Sequence, residues 1–164
     1  MVEKKQTQMF GGESLRYVSS YIHRKRGKDE AINLAIKGFM TQPLKSILDV
    51  GCGNGEFLFD WKNYFGIEKA VGVEPSEDAV KLLRKKWKAE DCINFQSAFA
   101  HHLPFESDSF DLVTSWSVLH WIGRNEYLQS IGELIRVCSK YLCVMDFVAH
   151  QDYMMCARLT LDRG

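Results

Sequence analysis

The chain has 164 residues, of which 46% are hydrophobic and 26% charged, and these values are typical of one globular domain with its own core. Basic and acidic residues number 21 each, so the net charge gives no electrostatic case for a nucleic-acid partner. No apolar run approaches the ~20 residues of a membrane span, and the N-terminal sequence MVEKKQTQ lacks the apolar core of a signal peptide. The five cysteines have no metal-ligand spacing and therefore indicate reduced thiols. We therefore expect a soluble, cytoplasmic protein with no membrane partner.

Two amphipathic helices are predicted before the first strand. Apolar residues recur at helical spacing from Leu15 to Ile22 and from Ile32 to Phe39, and Pro43 follows the second helix. We therefore assign residues 1–42 to an N-terminal helical unit and residues 43–164 to the main domain.

The stretch KSILDVGCGNGEFL, residues 45–58, organises the main domain. A short apolar run predicts a buried parallel strand, glycines at Gly51, Gly53 and Gly55 predict a tight turn, and later apolar residues at helical spacing predict a helix. Asp49 lies just before the turn, where a carboxylate would repel phosphate and favour a cationic ligand. The unit is typical of a nucleotide-binding α/β domain.

Strands and helices alternate along the rest of the chain. Helices are predicted over 79–87, with Ser76 as a plausible N-cap, and over 127–138. Further strands are predicted at 70–74, 93–96, 110–115 and 141–145. The alternation predicts an α/β fold with a doubly wound, mainly parallel sheet.

Two motifs resemble known proteins. DVGCGNG resembles motif I of class I S-adenosylmethionine (SAM)-dependent methyltransferases, whose cofactor carries an ammonium and a sulfonium. LPFESDSFDLVTSWSVLHWI resembles the fourth-strand region of small-molecule methyltransferases of the ubiquinone-biosynthesis type. The resemblance covers roughly residues 44–147 and implies a Rossmann-like class I methyltransferase fold, with residues 1–42 as a helical cap over a SAM-binding domain.

The resemblance implies SAM as cofactor and S-adenosylhomocysteine as product. Glu74 ends the second predicted strand in VGVEPS, where an acid accepts hydrogen bonds from both ribose hydroxyls. In the family, the loop before Leu-Pro-Phe closes over the adenine, and residues after the fourth strand line the methionine and acceptor side. The expected cofactor-binding residues are Asp49, Gly51, Cys52, Gly53, Gly55, Glu74, Pro75, Ala98, Phe99, Ser115 and Trp116.

Two features depart from the family pattern. Where the family places an aspartate that accepts a bond from the adenine amine, this chain has Phe99. Complete domains continue after the fifth strand with a helix and an antiparallel hairpin, for which residues 147–164 are too few. The tail shows no strand alternation, so we expect the sheet to end at the fifth strand with an open edge. Either the chain is a truncated or alternative form, or a homodimer contact or another partner covers that edge.

The implied function is in-line transfer of the sulfonium methyl group to a small-molecule acceptor. His120 follows the fourth strand in VLHWI, at the edge where α/β sheets hold ligands, and is the candidate general base. Packing of the pocket wall is the alternative role for this histidine. No recurring carboxylate–histidine spacing indicates a metal site.

Other functions remain open. Phe99 and the short tail favour a methyltransferase-fold subunit that binds or regulates without catalysis and needs a partner, whereas the intact Asp49 and Glu74 oppose it. A nicotinamide-dependent oxidoreductase shares the turn, but the G-x-G-x-G spacing and the upstream acid disfavour it. A nucleic-acid methyltransferase is disfavoured because no (D/N)PP(Y/F/W) sequence follows the fourth strand.

Overall fold

A computed structural model of the chain describes residues 36–147 and 154–160. Residues 36–38 are helical, and the remainder of the predicted cap up to residue 35 lies outside the described ranges. The elements are β1 (Ser46–Val50), α1 (Glu56–Phe65), β2 (Lys69–Glu74), α2 (Glu77–Lys86), β3 (Ile93–Ser97), β4 (Phe110–Trp116), a 3₁₀ helix (Leu119–Trp121), α3 (Arg124–Val137), β5 (Cys138–Phe147) and β6 (Met154–Thr160).

The described strands form one sheet in the order β3-β2-β1-β4-β5-β6. The first five strands are parallel to one another, and β6 is antiparallel to β5. The chain moves outward from β1 to β3 and then returns to place β4 beside β1, so the strand order reverses between β1 and β4. Ligands bind α/β sheets at such a switch point, outside the carboxyl ends of the strands.

Apolar clusters lie on both faces of the sheet. Successive residues of a strand point to opposite faces, so Ile47 joins the cluster that contains Trp61 of α1, whereas Leu48 joins the cluster that contains Leu134 of α3. All four side chains are fully buried, and each contributes on the order of 1.5–3 kcal/mol relative to an exposed position. The predicted doubly wound arrangement is therefore confirmed.

Local signals account for the helix boundaries near the switch point. The Ser76 side chain accepts a hydrogen bond from the backbone N–H of Ala79 at 3.3 Å, which confirms the predicted N-cap of α2. Helix α1 ends at Gly66, whose φ of 63° gives the left-handed C-cap that glycine adopts without steric cost. None of the helices within the described ranges is long and apolar enough to cross a bilayer.

The end of the sheet corrects two predictions. Cys138 fits the apolar stripe of the preceding helix, yet it is the first residue of β5. The tail, which we expected to supply no strand, forms β6, which pairs with β5 over seven residues from Tyr141 to Phe147. The expected open edge of the fifth strand is therefore paired within the chain, because backbone hydrogen bonds require no alternation of side-chain type. No partner is needed to cover that edge.

Candidate functional site

The glycine turn between β1 and α1 is the centre of the site. Gly51, Gly53 and Gly55 have φ values of 75°, 55° and 77°, in the left-handed region that glycine adopts most readily. A Cβ at Gly51 would lie 2.3 Å from Val118 Cγ2, and one at Gly55 would lie 2.6 Å from Trp87 Nε1, whereas one at Gly53 would have no heavy atom within 4 Å. Packing thus excludes side chains at the two outer glycines, and the backbone at Gly53 is open to a ligand.

Hydrogen bonds fix this turn to the end of β2. The backbone N–H groups of Gly51 and Cys52 both donate to the Val73 carbonyl, at 2.9 and 3.1 Å. The N–H of Gly53 donates to Glu74 Oε1 at 2.7 Å. The acid that the sequence assigns to ribose recognition therefore lies directly beside the glycine that is open to a ligand.

Two carboxyl groups give this edge of the sheet a negative potential. Asp49 is 2% exposed, and its Oδ1 accepts a hydrogen bond from Thr114 Oγ1 at 2.7 Å. Burial raises the pKa of Glu74 from 4.5 to about 7, the bond from Gly53 opposes that increase, and the charge of Asp49 adds to it. A cationic ligand would relieve the repulsion between these carboxylates.

Cys52 lies within the turn but is not a nucleophile. Its side chain is 5% exposed. Burial raises the pKa of the Cys52 thiol well above its ordinary value, and the charges of Glu74 and Asp49 act in the same direction. A protonated, buried thiol is unreactive, so the Cys52 side chain packs here, while cofactor binding by this residue stays a prediction. Consistent with close packing, a Cβ at Gly72 would lie 2.7 Å from its sulfur.

The predicted adenine loop meets the site beside Glu74. The N–H of Ala98 donates to the Glu74 carbonyl at 3.1 Å, and Ser97 Oγ donates to the Pro75 carbonyl at 3.2 Å. Phe99 stacks on His101 with ring centroids 5.4 Å apart. The structure therefore brings Pro75, Ala98 and Phe99 together at the end of β2.

The two residues predicted at the methionine end point to opposite faces of β4. Ser115 is 1% exposed and pairs in register with Val50, the residue before the turn. Trp116 packs edge-on against Phe57 in the first turn of α1, with ring centroids 5.2 Å apart. Ser115 is therefore adjacent to the start of the glycine turn, whereas Trp116 belongs to the packing of α1.

The segment that follows β4 is held against both the glycine turn and β5. Ser117 has a φ of 56°, which is rare for a residue with a side chain, and its N–H donates to the Met145 carbonyl at 2.7 Å. The next side chain, Val118, is the one that a Cβ at Gly51 would meet. A strained residue thus places the 3₁₀ helix, and His120 within it, beside the turn.

His120 is paired with an acid that the sequence analysis missed. Its ring Nδ1 makes a short contact with Asp146 Oδ1, and its backbone N–H donates to Asp146 Oδ2 at 3.2 Å. Asp146 directly follows Met145, the last residue of β5 that pairs with β4, and Glu74 is the last residue of β2. The available signal was therefore an acid directly after an apolar strand, in VMDF. The His120 ring also lies beside that of Trp121, with centroids 5.0 Å apart, so both the general-base role and the packing role stay predictions.

Unsatisfied buried polar atoms at the site test whether SAM fits. Asn54 Nδ2, within the turn, and Ser115 Oγ, on β4 opposite Val50, are buried without a hydrogen-bond partner. Buried polar groups are normally paired, and the amino, carboxylate and ribose groups of SAM could pair with them. The open backbone at Gly53 and the two carboxyl groups fit the same ligand. By contrast, no cluster of three potential metal ligands occurs among the described residues.

This combination of a doubly wound sheet, a strand–glycine turn–helix unit and acids at the switch point defines the class I methyltransferase fold. A family model described as "Methyltransferase domain" matches residues 47–140, more than half of the chain. The chain therefore belongs to this methyltransferase-domain family, and its fold is that of the class I methyltransferases.

Individual relatives support the same assignment. A demethylmenaquinone methyltransferase from Lactococcus lactis is 37% identical over 95 residues, covering 56% of this chain and 37% of the relative. A ubiquinone/menaquinone biosynthesis C-methyltransferase from Campylobacter jejuni is 26% identical over 145 residues, covering 84% of this chain and 57% of the relative. This chain thus spans less than two thirds of the length of these curated relatives.

A solved structure supports the fold alone. The YcgJ protein from Bacillus subtilis has a TM-score of 0.64 at 24% identity, and the match covers 76% of this chain and 53% of that protein.

Proposed function

We propose that the chain binds SAM and transfers its methyl group to a small-molecule acceptor. The observation that carries the proposal is the hydrogen bond from the Gly53 N–H to Glu74, because it joins an open glycine backbone to an acid at the switch point. Bound SAM supplies an activated, electrophilic methyl group, so the main tasks of the protein are alignment and exclusion of water.

Each residue of the site has a part in this proposal. Glu74 accepts hydrogen bonds from the ribose hydroxyls, and Asp49 provides the negative potential that favours the cationic cofactor. Ser115 Oγ donates a hydrogen bond at the methionine end. Phe99 stacks on the adenine ring in place of the usual acid. His120 accepts the proton that an acceptor loses, which is the general-base role predicted from its position after β4.

Calorimetric titration of the purified chain with SAM, S-adenosylhomocysteine and NADH tests the proposal. We expect micromolar binding of the first two ligands and no heat from NADH, because the G-x-G-x-G turn with Asp49 before it suits a cation rather than a pyrophosphate. Binding of NADH alone would contradict the proposal.

A second candidate function is that of a binding or regulatory subunit without catalysis. Phe99 favours it, since that side chain stacks on His101 and offers the adenine amine no carboxylate. The short tail no longer supports this candidate in full, because β6 covers the edge of β5. Tight SAM binding without methyl transfer to any acceptor would favour this function over the first.

We also propose a cytoplasmic location. The four cysteines within the described side chains, Cys52, Cys92, Cys138 and Cys143, all carry free thiols. Free thiols fit a reducing compartment. Localisation of a tagged chain by microscopy tests this point.

A further inference from the structure

Two side chains of α3 hold the loop that joins β3 to β4, residues 98–109. Arg136 donates from Nη1 to the Phe105 carbonyl at 2.7 Å and from Nη2 to the Leu103 carbonyl at 3.0 Å. Glu133 Oε2 accepts the backbone N–H of Leu103 at 2.8 Å. The loop is therefore bonded to α3 through three of its backbone groups.

The same two side chains also fix each other. Arg136 donates to both carboxylate oxygens of Glu133, from Nε to Oε1 at 2.6 Å and from Nη2 to Oε2 at 2.8 Å. Such bidentate pairs have a defined geometry. The bonds from Arg136 hold the pKa of Glu133 below its ordinary value, so the acid is ionised at neutral pH. Glu133 and Arg136 together form the α3 clamp.

The α3 clamp holds the second half of the loop, and the end of β2 holds the first half. The N–H of Ala98 donates to the Glu74 carbonyl at 3.1 Å. Between Ala98 and Leu103 the chain makes a tight turn, in which the His102 N–H donates to the Phe99 carbonyl at 3.0 Å. The turn that carries Phe99 is thus fixed on both sides.

Apolar packing supports the α3 clamp but does not orient the backbone of the loop. Leu103 is 3% exposed, and Phe105 packs edge-on against Phe110 with ring centroids 4.9 Å apart. The hydrophobic effect is non-directional, whereas the hydrogen bonds to the N–H and the carbonyl of Leu103 depend on direction. The α3 clamp therefore defines the orientation in which the loop presents the turn.

We propose that Glu133 and Arg136 are positioning residues for the cofactor, because they preorganise the turn from Phe99 to His102 to receive the adenine end of SAM. This inference rests on the proposed function and adds two residues that act through the loop. A site that is competent for only a fraction of the time binds its ligand with an affinity reduced by that fraction. Loss of the α3 clamp should therefore weaken binding of the adenosine half of the cofactor.

The substitution Arg136→Met removes the donors and keeps an apolar stem of similar length. Backbone ¹⁵N relaxation of the full, ligand-free chain reports the order of each amide. We expect lower order parameters for the amides of residues 99–102 in the variant than in the wild type, with those of β1 and β2 unchanged. S-adenosylhomocysteine should restore the order. Unchanged order at residues 99–102 would overturn the proposal.

Two ligands separate the adenine end of the site from the methionine end. S-adenosylhomocysteine carries both ends, whereas 5′-methylthioadenosine lacks the amino-acid group. In NMR titrations, Arg136→Met should weaken both ligands by the same factor of about 5–30, the effect of one or two lost hydrogen bonds. A loss confined to S-adenosylhomocysteine, or no loss for either ligand, would overturn the proposal.

A conservative variant of the acid tests the same role. Glu133→Gln keeps an oxygen that can accept the Leu103 N–H, whereas Glu133→Ala removes the acceptor. We expect the order at residues 99–102 and the affinity for 5′-methylthioadenosine to fall further in Glu133→Ala than in Glu133→Gln. Equal losses in the two variants would contradict the role of this hydrogen bond.

A matched control lies at the amino end of β5. Lys140 Nζ donates to the Pro43 carbonyl at 2.9 Å and lies 3.0 Å from Asp111 Oδ1, so it also joins a carboxylate to a loop carbonyl. Its side chain is 34% exposed, and that of Arg136 is 33% exposed. Lys140→Met should lower the unfolding free energy without changing the order at residues 99–102 or either affinity.

The control also separates the possible failures. Equal losses of affinity in Lys140→Met and Arg136→Met would show a general effect of destabilisation and would overturn the proposal. A wild type that binds neither ligand would instead refute the proposed function, and the relaxation result would then decide by itself whether the α3 clamp orders the turn.

Discussion

Replacing Glu74 with glutamine should stabilise the ligand-free protein while it weakens cofactor binding. The side chain is partly buried, and its pKa is raised from 4.5 to about 7 by burial, with a further contribution from Asp49. Glutamine is nearly isosteric, and its amide oxygen can still accept the Gly53 N–H that Glu74 now accepts at 2.7 Å. The substitution therefore removes a charge without removing the main hydrogen bond.

The sign and size of the effect follow from proton linkage. Because the folded-state pKa lies above the unfolded value, the contribution of Glu74 to stability is fully present below about pH 4.5 and is lost as the pH rises through about 7. At pH 8 the ionised carboxylate costs the folded state up to about 3 kcal/mol. Glu74→Gln should recover that amount at pH 8 and change little near pH 4.5.

Urea unfolding between pH 4.5 and 8, followed by tryptophan fluorescence, measures this difference. The matched control is Glu68→Gln, the same substitution on an exposed side chain between α1 and β2, which should alter the unfolding free energy by less than about 0.5 kcal/mol at any pH. The reasoning would be refuted by a difference between Glu74→Gln and the wild type that is equal at pH 5 and pH 8. In parallel, calorimetry should show SAM affinity weakened by roughly 1–3 kcal/mol, the usual cost of unpaired polar groups.

Three further predictions concern the turn and its surroundings. Gly51→Ala should destabilise the protein by about 2–5 kcal/mol in urea unfolding, because its Cβ would meet Val118. Gly53→Ala should cost only about 1–2 kcal/mol of stability, for its backbone conformation, and should lower SAM affinity. Equal losses of stability in the two variants would contradict the packing argument. Ser115→Ala should change the unfolding free energy by no more than about 0.5 kcal/mol, because the hydroxyl has no partner. The same variant should weaken SAM binding by about 1 kcal/mol in calorimetry, and unchanged affinity would remove Ser115 from the site. SAM affinity should fall as the pH decreases from 8 to 6, as Glu74 becomes protonated with its pKa of about 7, and the Glu74→Gln variant should lack this dependence.

Much of the fold could be predicted because its signals are local. Three of these signals lie within short segments: the apolar run before Gly51, the glycines themselves and the acid at the end of β2. The residues of each segment are enough to predict its conformation. The structure confirms these elements and the parallel sheet they build. The same locality explains why the sequence alone predicts a ligand-binding acid at Glu74, without its contact with Gly53.

The missed features depend on contacts between distant segments. Asp146 meets His120 only because β5 lies beside β4, and no pattern within either segment predicts that contact. Similarly, β6 is specified by the backbone of β5 rather than by alternation in its own sequence. Cys138 fits the helical period of α3, yet pairing with Phe110 makes it part of a strand.

The central claim is that SAM binds at the glycine turn beside Glu74. The most direct measurement is a ¹H–¹⁵N NMR titration of the full chain with S-adenosylhomocysteine, which follows the backbone amides of Gly53 and Ala98. We predict that these two amides shift the most, because the first exchanges its bond to Glu74 for the ligand and the second borders the adenine loop. A saturable titration in which both amides remain unchanged, or one that produces no shift at all, would contradict the claim.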